Sequence, residues 1–430
     1  MKRLLSLVLL PVIIGLACAR SNGATSPTNV VVTSTPASSA TTPANQSITL
    51  APLPATFVAP AAPEQYQSTY TELGTTLASF INSLPASKGE PLNLGAELSY
   101  ANGNIGEPLL DPSTIGLVQK QLDVLKSMGV SEVVVAIKFP LLEPDFPHSA
   151  DYLQFFKQVS AEIHARGMKL LVEAGPIFSG TIYSSVHVDW SQYNKDTFIA
   201  DQQNELITIA NQVQPDYLQI ANEPSTINKL TGIQFTPADY ASFIQSSVQK
   251  IGHPNGVKLG AGAGTWDDPA YMNDLMNIQG LDCIDIHIYP LGRDASLLQR
   301  AYTTALDAHN NGKCALISEA WLYKVSAEDL TAPGSTLEAI SSQDSFSFWE
   351  PLDEEFVRAV TRLSQASGIE FVSFFWTRMF FTDLDYNQYG SLSFEQLNSQ
   401  LNQTSLAAMQ NGTLSPLGLF FANWIADGFK

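Results

Sequence analysis

From about residue 92 onward the chain alternates between short, nearly unbroken apolar runs and longer segments in which apolar residues recur every three or four positions. Runs at 92–98, 133–139, 169–174, 217–221, 257–263, 283–288, 314–318 and 369–375 read as strands. They are apolar at successive positions, as strands covered on both faces must be. Segments at 113–128, 152–166, 197–213, 237–251, 270–277, 297–310, 354–367 and 416–426 carry the helical period instead. Gly129, Gly167 and Gly368 stand where the helices before the second, third and eighth strands must stop, and glycine supplies the left-handed backbone of a helix C-terminus. Eight such strand–helix units predict an α/β fold, a closed (β/α)8 TIM barrel. Tyr66, Tyr70, Leu73, Leu77, Ile81 and Leu84 add an amphipathic helix in front of it. The long connections at about 324–350 and 378–413 follow strands, and so fall on the barrel's C-terminal face.

The first 63 residues have a different character. Met1-Lys2-Arg3 and the apolar run from Leu4 to Leu16 form a charged start and a hydrophobic stretch too short to span a bilayer, which is the pattern of a secretory signal. Gly15-Leu16-Ala17-Cys18 resembles the lipobox of bacterial lipoproteins, which implies acylation of Cys18. Residues 19–63 are rich in Ser, Thr, Pro and Ala and cannot bury enough apolar surface to order themselves, so they read as a disordered tether. The expected organisation is a signal region at 1–18, the tether at 19–63 and one folded domain at 64–430. The chain is expected to be exported and to act as a monomer. It would be held at the cell surface by Cys18, or secreted if that cysteine is not acylated.

A formal net charge of −19 excludes functions built on phosphate contacts, nucleic-acid binding among them, and favours neutral partners. The other two cysteines, Cys283 and Cys314, fall at opposite parities relative to His287 and Glu319. Strict strand alternation then predicts two buried free thiols.

Barrels of this kind do their chemistry at the C-terminal ends of the strands. In strand order those ends carry Glu97 and Tyr100; Lys138; Glu173; Asn222-Glu223-Pro224; Trp266-Asp267-Asp268; His287-Ile288-Tyr289; Ser318-Glu319-Ala320-Trp321; and Trp376-Thr377-Arg378. Acids, aromatics and hydrogen-bond donors together suit sugars, since rings stack on pyranose faces while carboxylates and amides bind hydroxyls. Two carboxyl groups flanking one bond can also divide the labour of glycoside cleavage. The histidines are scattered and no paired metal-ligand spacing closes a strand, so neither metal nor cofactor is called for.

Asn222-Glu223-Pro224 on the fourth strand and Ile317-Ser318-Glu319 on the seventh, with His287-x-Tyr289 on the sixth and Trp376 on the eighth, resemble the signature of clan A glycoside hydrolases. That superfamily includes the family-5 cellulases and mannanases. The resemblance implies that Glu223 is the general acid/base and Glu319 the nucleophile of a retaining enzyme acting on β-linked oligo- or polysaccharides. It also implies that Asn222 binds the sugar 2-hydroxyl, Tyr289 orients Glu319, His287 lies beside them and Trp376 forms a platform under the ring. Glu97, Lys138 and Trp321 are further candidates for substrate contact. Lys138 stands where family-5 enzymes carry arginine, and no histidine follows Glu173, so a neighbouring family is expected. A carbohydrate-binding lipoprotein on the same scaffold, without turnover, is the alternative.

Overall fold

The computed structural model describes residues 61–85, 92–181, 183–290, 295–325 and 344–429; the signal region, Cys18 and nearly all of the tether lie outside them. Eight strands close a parallel barrel in sequence order: β1 (Asn93–Glu97), β2 (Glu132–Phe139), β3 (Lys169–Pro176), β4 (Tyr217–Gln219), β5 (Lys258–Gly264), β6 (Cys283–His287), β7 (Cys314–Ala320) and β8 (Phe371–Phe374). β1 pairs with both β2 and β8, which completes the ring. Each strand lies within a few residues of its predicted range, because burial on both faces leaves the apolar run as its mark.

The helices between strands pack outside the barrel and begin where the sequence caps them. Asn194 and Thr236 each close a capping box, the latter with Pro237 at the first helical position, and open helices over Lys195–Thr208 and Pro237–Ile251. Gly129, Gly167 and Gly368 adopt positive φ at the predicted stops. The leading helix, Gln67–Ser83, buries Leu73, Leu77 and Phe80, and Tyr70 stacks on Trp349 just ahead of the helix at Glu350–Ser367.

Inside the barrel, Val134, Leu171, Tyr217, Cys283, Leu316 and Phe371 form a separate apolar floor. Polar side chains lie above it, and that layering decides where chemistry is possible. Gly264, the last residue of β5, keeps its side clear for Trp266: a Cβ there would come 2.3 Å from the indole. Trp266 in turn packs edge-on to Tyr289, with ring centroids 5.4 Å apart.

Two expectations are corrected. Cys283 and Cys314 are directly paired in the β6–β7 register, and they form a disulfide instead of two free thiols. The parity argument failed because β7 does not alternate to its end: its pairing with β8 shifts between Ile317 and Ala320, so the orientation of Glu319 does not report on Cys314. The connection after β8 is also not irregular, since Phe394–Asn411 is a helix with a capping box at Ser393 and Gln396.

Candidate active site

β4 is short, but its hydrogen bonds to β5 continue past Gln219 through the Ile220 N–H and the Ala221 carbonyl. This extension carries Asn222 and Glu223 to the barrel rim. Glu223 then turns sharply, at φ 51° and ψ 66°, to start the helix Pro224–Thr231. A left-handed residue that is not glycine costs of order 1–3 kcal/mol and persists only where its surroundings hold it. Here the hold is visible: Glu223 Oε1 lies 2.7 Å from His287 Nδ1.

His287 is the hub of the site. Nδ1 is also 3.4 Å from Glu319 Oε2, while Nε2 is 3.0 Å from Ser318 Oγ. Ser318 donates its hydroxyl to Asp285 Oδ2, and its backbone N–H donates to Asp285 Oδ1 at 3.0 Å. Tyr289 donates its hydroxyl to Glu319 Oε2 at 2.7 Å. One carboxylate oxygen each of Glu223 and Glu319 and one His287 nitrogen all lie within 4.8 Å of one another. Two acids 96 positions apart in sequence therefore face one point.

The charges here are strongly coupled. Burial alone would lower the His287 pKa, but Glu319, Asp285 and Glu223 outweigh it and hold the imidazole protonated well above its ordinary range. Protonated at both nitrogens, His287 donates to Glu223 and to Ser318, and so fixes the order of the Glu223–His287–Ser318–Asp285 chain. Burial, then Glu173 and Glu223, push Glu319 well above the usual carboxylate range, against His287 and Lys138. After burial, the largest contribution to this rise is Glu173, which approaches Glu319 from β3.

The other predicted residues separate into groups. Asn222 and Lys138 line the same cavity as Glu223, His287 and Glu319, a space of about 370 Å³. Asn222 Oδ1 is buried there without a hydrogen-bond partner. The Lys138 ammonium sits 5.9 Å from the Phe178 ring centroid. Glu97 accepts a hydrogen bond from Asn102 at 2.7 Å, and burial raises its carboxyl to about 7. It lines not this cavity but the adjoining one, together with Trp376. Trp321 lines neither: it is buried behind Trp376, donating to Asp344 Oδ2 at 3.1 Å with the Lys324 ammonium 4.0 Å over its ring. Asp285 and Ser318 were missed as site residues. The signal for Asp285 was there, since it shares the parity of His287 two positions on.

Among the described residues, two groups have the spacing of cation ligands, Glu223–His287–Glu319 and Glu173–Asp285–His287. Both depend on His287, whose two nitrogens are already engaged by Glu223 and Ser318, so hydrogen bonding fits the observed contacts better than ligation.

Buried acids elsewhere share this bias toward the protonated form. Burial raises Glu205 to about 8, Glu350 to about 9 and Asp353 to about 7. In the unfolded chain such groups lose their protons near 4. A carboxyl whose folded pKa is raised binds more protons in the native state, so its penalty grows as pH rises from the unfolded value to the folded one. His287 acts in the same direction, its contribution fading as pH climbs through its folded value. The melting temperature should therefore fall by about 5 °C or more between pH 5 and pH 9 at constant ionic strength. A flat or rising profile in differential scanning calorimetry contradicts this.

No protein-family model and no curated protein matches this sequence. Solved structures do match the fold. An exo-β-1,4-mannosidase from Opitutaceae bacterium strain TAV5 superposes with a TM-score of 0.52 at 14% identity over 80% of this chain, which spans 61% of that enzyme. A GH5_18 protein from Bifidobacterium longum subsp. longum superposes at 0.53 with 15% identity, covering 78% of this chain and 79% of its own. One from Streptomyces cattleya, solved with GlcNAc, gives 0.52 and 14%, covering 79% and 80%. The chain shares the (β/α)8 barrel of these proteins. At these identities the likeness concerns the barrel, and the chemistry is argued from the residues above.

Proposed function

We propose that the chain is a retaining glycoside hydrolase that cleaves β-linked glycans by double displacement. The observation that carries this reading is the convergence of Glu223 and Glu319 at the ends of β4 and β7, where one carboxylate oxygen of each lies within 4.8 Å of the other. A retaining pair stands about 5–5.5 Å apart, whereas an inverting pair needs about 6.5–9.5 Å to admit a water molecule. Glu319 attacks the anomeric carbon while Glu223 protonates the departing oxygen; Glu223 then takes a proton from the water that releases the sugar. Before it attacks, Glu319 must be ionised. The imidazolium at 3.4 Å and the Tyr289 hydroxyl at 2.7 Å stabilise the resulting carboxylate. Asn222, with its free carbonyl oxygen, is available to a sugar hydroxyl in the same cavity.

The matched structures bear on the substrate: one is named an exo-β-1,4-mannosidase, and the Bifidobacterium protein was also solved with Manβ1-4GlcNAc. β-Mannosides therefore head the panel of aryl β-glycosides and β-glycans to be tried. We also infer that Cys18 anchors the domain outside the membrane through its tether. On the first substrate cleaved, proton NMR should show the β-anomer as the first-formed sugar, with the α-anomer appearing only by mutarotation. An α-anomer formed first contradicts the double displacement.

A further inference from the structure

A second pocket, about 490 Å³ when the open solvent at its mouth is counted, lies between the end of β1 and the chain leaving β8. Its wall includes Glu97, Tyr100, Phe375, Trp376, Arg378 and Phe381. A smaller space shares Glu97 and Phe375 with it and Glu173 and Glu319 with the site described above.

Arg378 is held there in an unusual way. Its Nη1 donates to the side-chain oxygens of Asn398 at 2.8 Å and Asn402 at 3.2 Å, and its guanidinium lies 5.0 Å from the Trp376 ring centroid. All of these partners are neutral, and among the described residues no carboxylate forms an ion pair with it. Its Nε is buried with no acceptor. Trp376 Nε1, in the same wall, is also buried with no acceptor. Burial pushes the guanidinium down to about 9, although Glu97 and Asp344 oppose this at longer range. A partly buried cation without a contact counter-ion is costly, and two unmet donors in one wall compound the cost. What relieves all three is an anion with two acceptor oxygens, which the planar guanidinium fork is shaped to take.

We propose that this cavity binds the carboxylate of an acidic sugar, a uronic acid unit or branch of the glycan whose neighbouring linkage is cut between Glu223 and Glu319. The aromatic wall stacks on the ring while Arg378 and Trp376 Nε1 take the carboxylate. Glu97, raised to about 7, is uncharged in mildly acid solution and does not then repel the ligand. The net charge of −19 opposes a uniformly charged polyanion, so the fitting substrate is a largely neutral glycan with isolated uronates. That the ligand is part of a glycan rests on the glycosidase reading; the anion site itself does not.

The test is titration of the purified full chain with D-glucuronate and, separately, with D-glucose, followed by isothermal calorimetry or ligand-observed NMR. Glucuronate should bind saturably in the millimolar range and glucose should not. Arg378→Met should weaken glucuronate at least tenfold and Arg378→Lys by less, since the charge stays but the fork is lost. Glu97→Gln, which leaves Arg378 in place, should tighten it by about threefold by removing a nearby negative charge. Glucose binding as well as glucuronate, no saturable glucuronate binding, or Arg378→Met binding like the parent protein each overturn the proposal. Because the titration needs no turnover, a chain that hydrolyses neutral β-glycosides but ignores glucuronate sinks this inference alone. A chain that binds glucuronate through Arg378 but cleaves no glycoside keeps the anion site and sinks the glycosidase reading.

Discussion

Glu319→Ala should lower kcat on an aryl β-glycoside by at least ~10⁴-fold, because it removes the carboxylate proposed to form the covalent intermediate. The leaving group is activated, so protonation by Glu223 is not limiting and the loss measures attack. Azide should restore turnover by entering the space of the missing carboxylate. It then attacks the face that Glu319 attacked, and the glycosyl azide carries inverted configuration. The variant also leaves the buried Tyr289 hydroxyl without its acceptor, at a cost of about 1–3 kcal/mol, so its unfolding must be followed alongside. If a folded Glu319→Ala protein turns over at the parent rate, or if azide has no effect and gives no product, Glu319 is not the nucleophile.

The barrel was legible because a strand between the packed barrel interior and the surrounding helices has no solvent face. Its whole length reads apolar, and Gly129, Gly167 and Gly368 punctuate the helices that return the chain. The Phe394–Asn411 helix escaped notice because it buries a single narrow stripe, Leu397, Leu401, Ser405 and Met409, with a serine in the repeat. Its start was nonetheless written in Ser393 and Gln396. The convergence of Glu223 and Glu319 was legible from strand order alone, since the fourth and seventh strands of a closed barrel deliver their ends to one mouth. What depends on local backbone was not. The register shift after Ile317 lets neighbouring residues Ser318 and Glu319 both reach His287, and a two-residue period cannot foresee that. The same irregularity misplaced the thiols.

The charge distribution of the site likewise follows from packing more than from residue type. Glu173 was one acid among several at the strand ends, yet its position beside Glu319 adds to the burial that raises that carboxyl. Trp376 and Glu223 show a related effect in the backbone. Both adopt left-handed conformations, at φ 68° and 51°, where neither is glycine, and each stands where the chain turns from a strand end into a short helix. The strain sits at two of the residues singled out for substrate, as expected where tertiary contacts outweigh local preference.

Glu223→Ala should separate the two halves of the reaction. On an aryl glycoside with a good leaving group, formation of the glycosyl-enzyme should be little changed while its hydrolysis slows, so kcat and KM fall together. On a disaccharide, whose leaving oxygen needs a proton, kcat/KM should fall by roughly 10²–10⁴-fold. Azide now meets an intermediate already inverted once, attacks from the opposite face and gives the retained product, the mirror of the Glu319→Ala result. His287 loses its 2.7 Å partner in this variant, so its imidazolium becomes easier to deprotonate and its ring nitrogens should titrate at lower pH. Equal losses on both leaving groups, with no azide product, would mean that Glu223 only holds the site together.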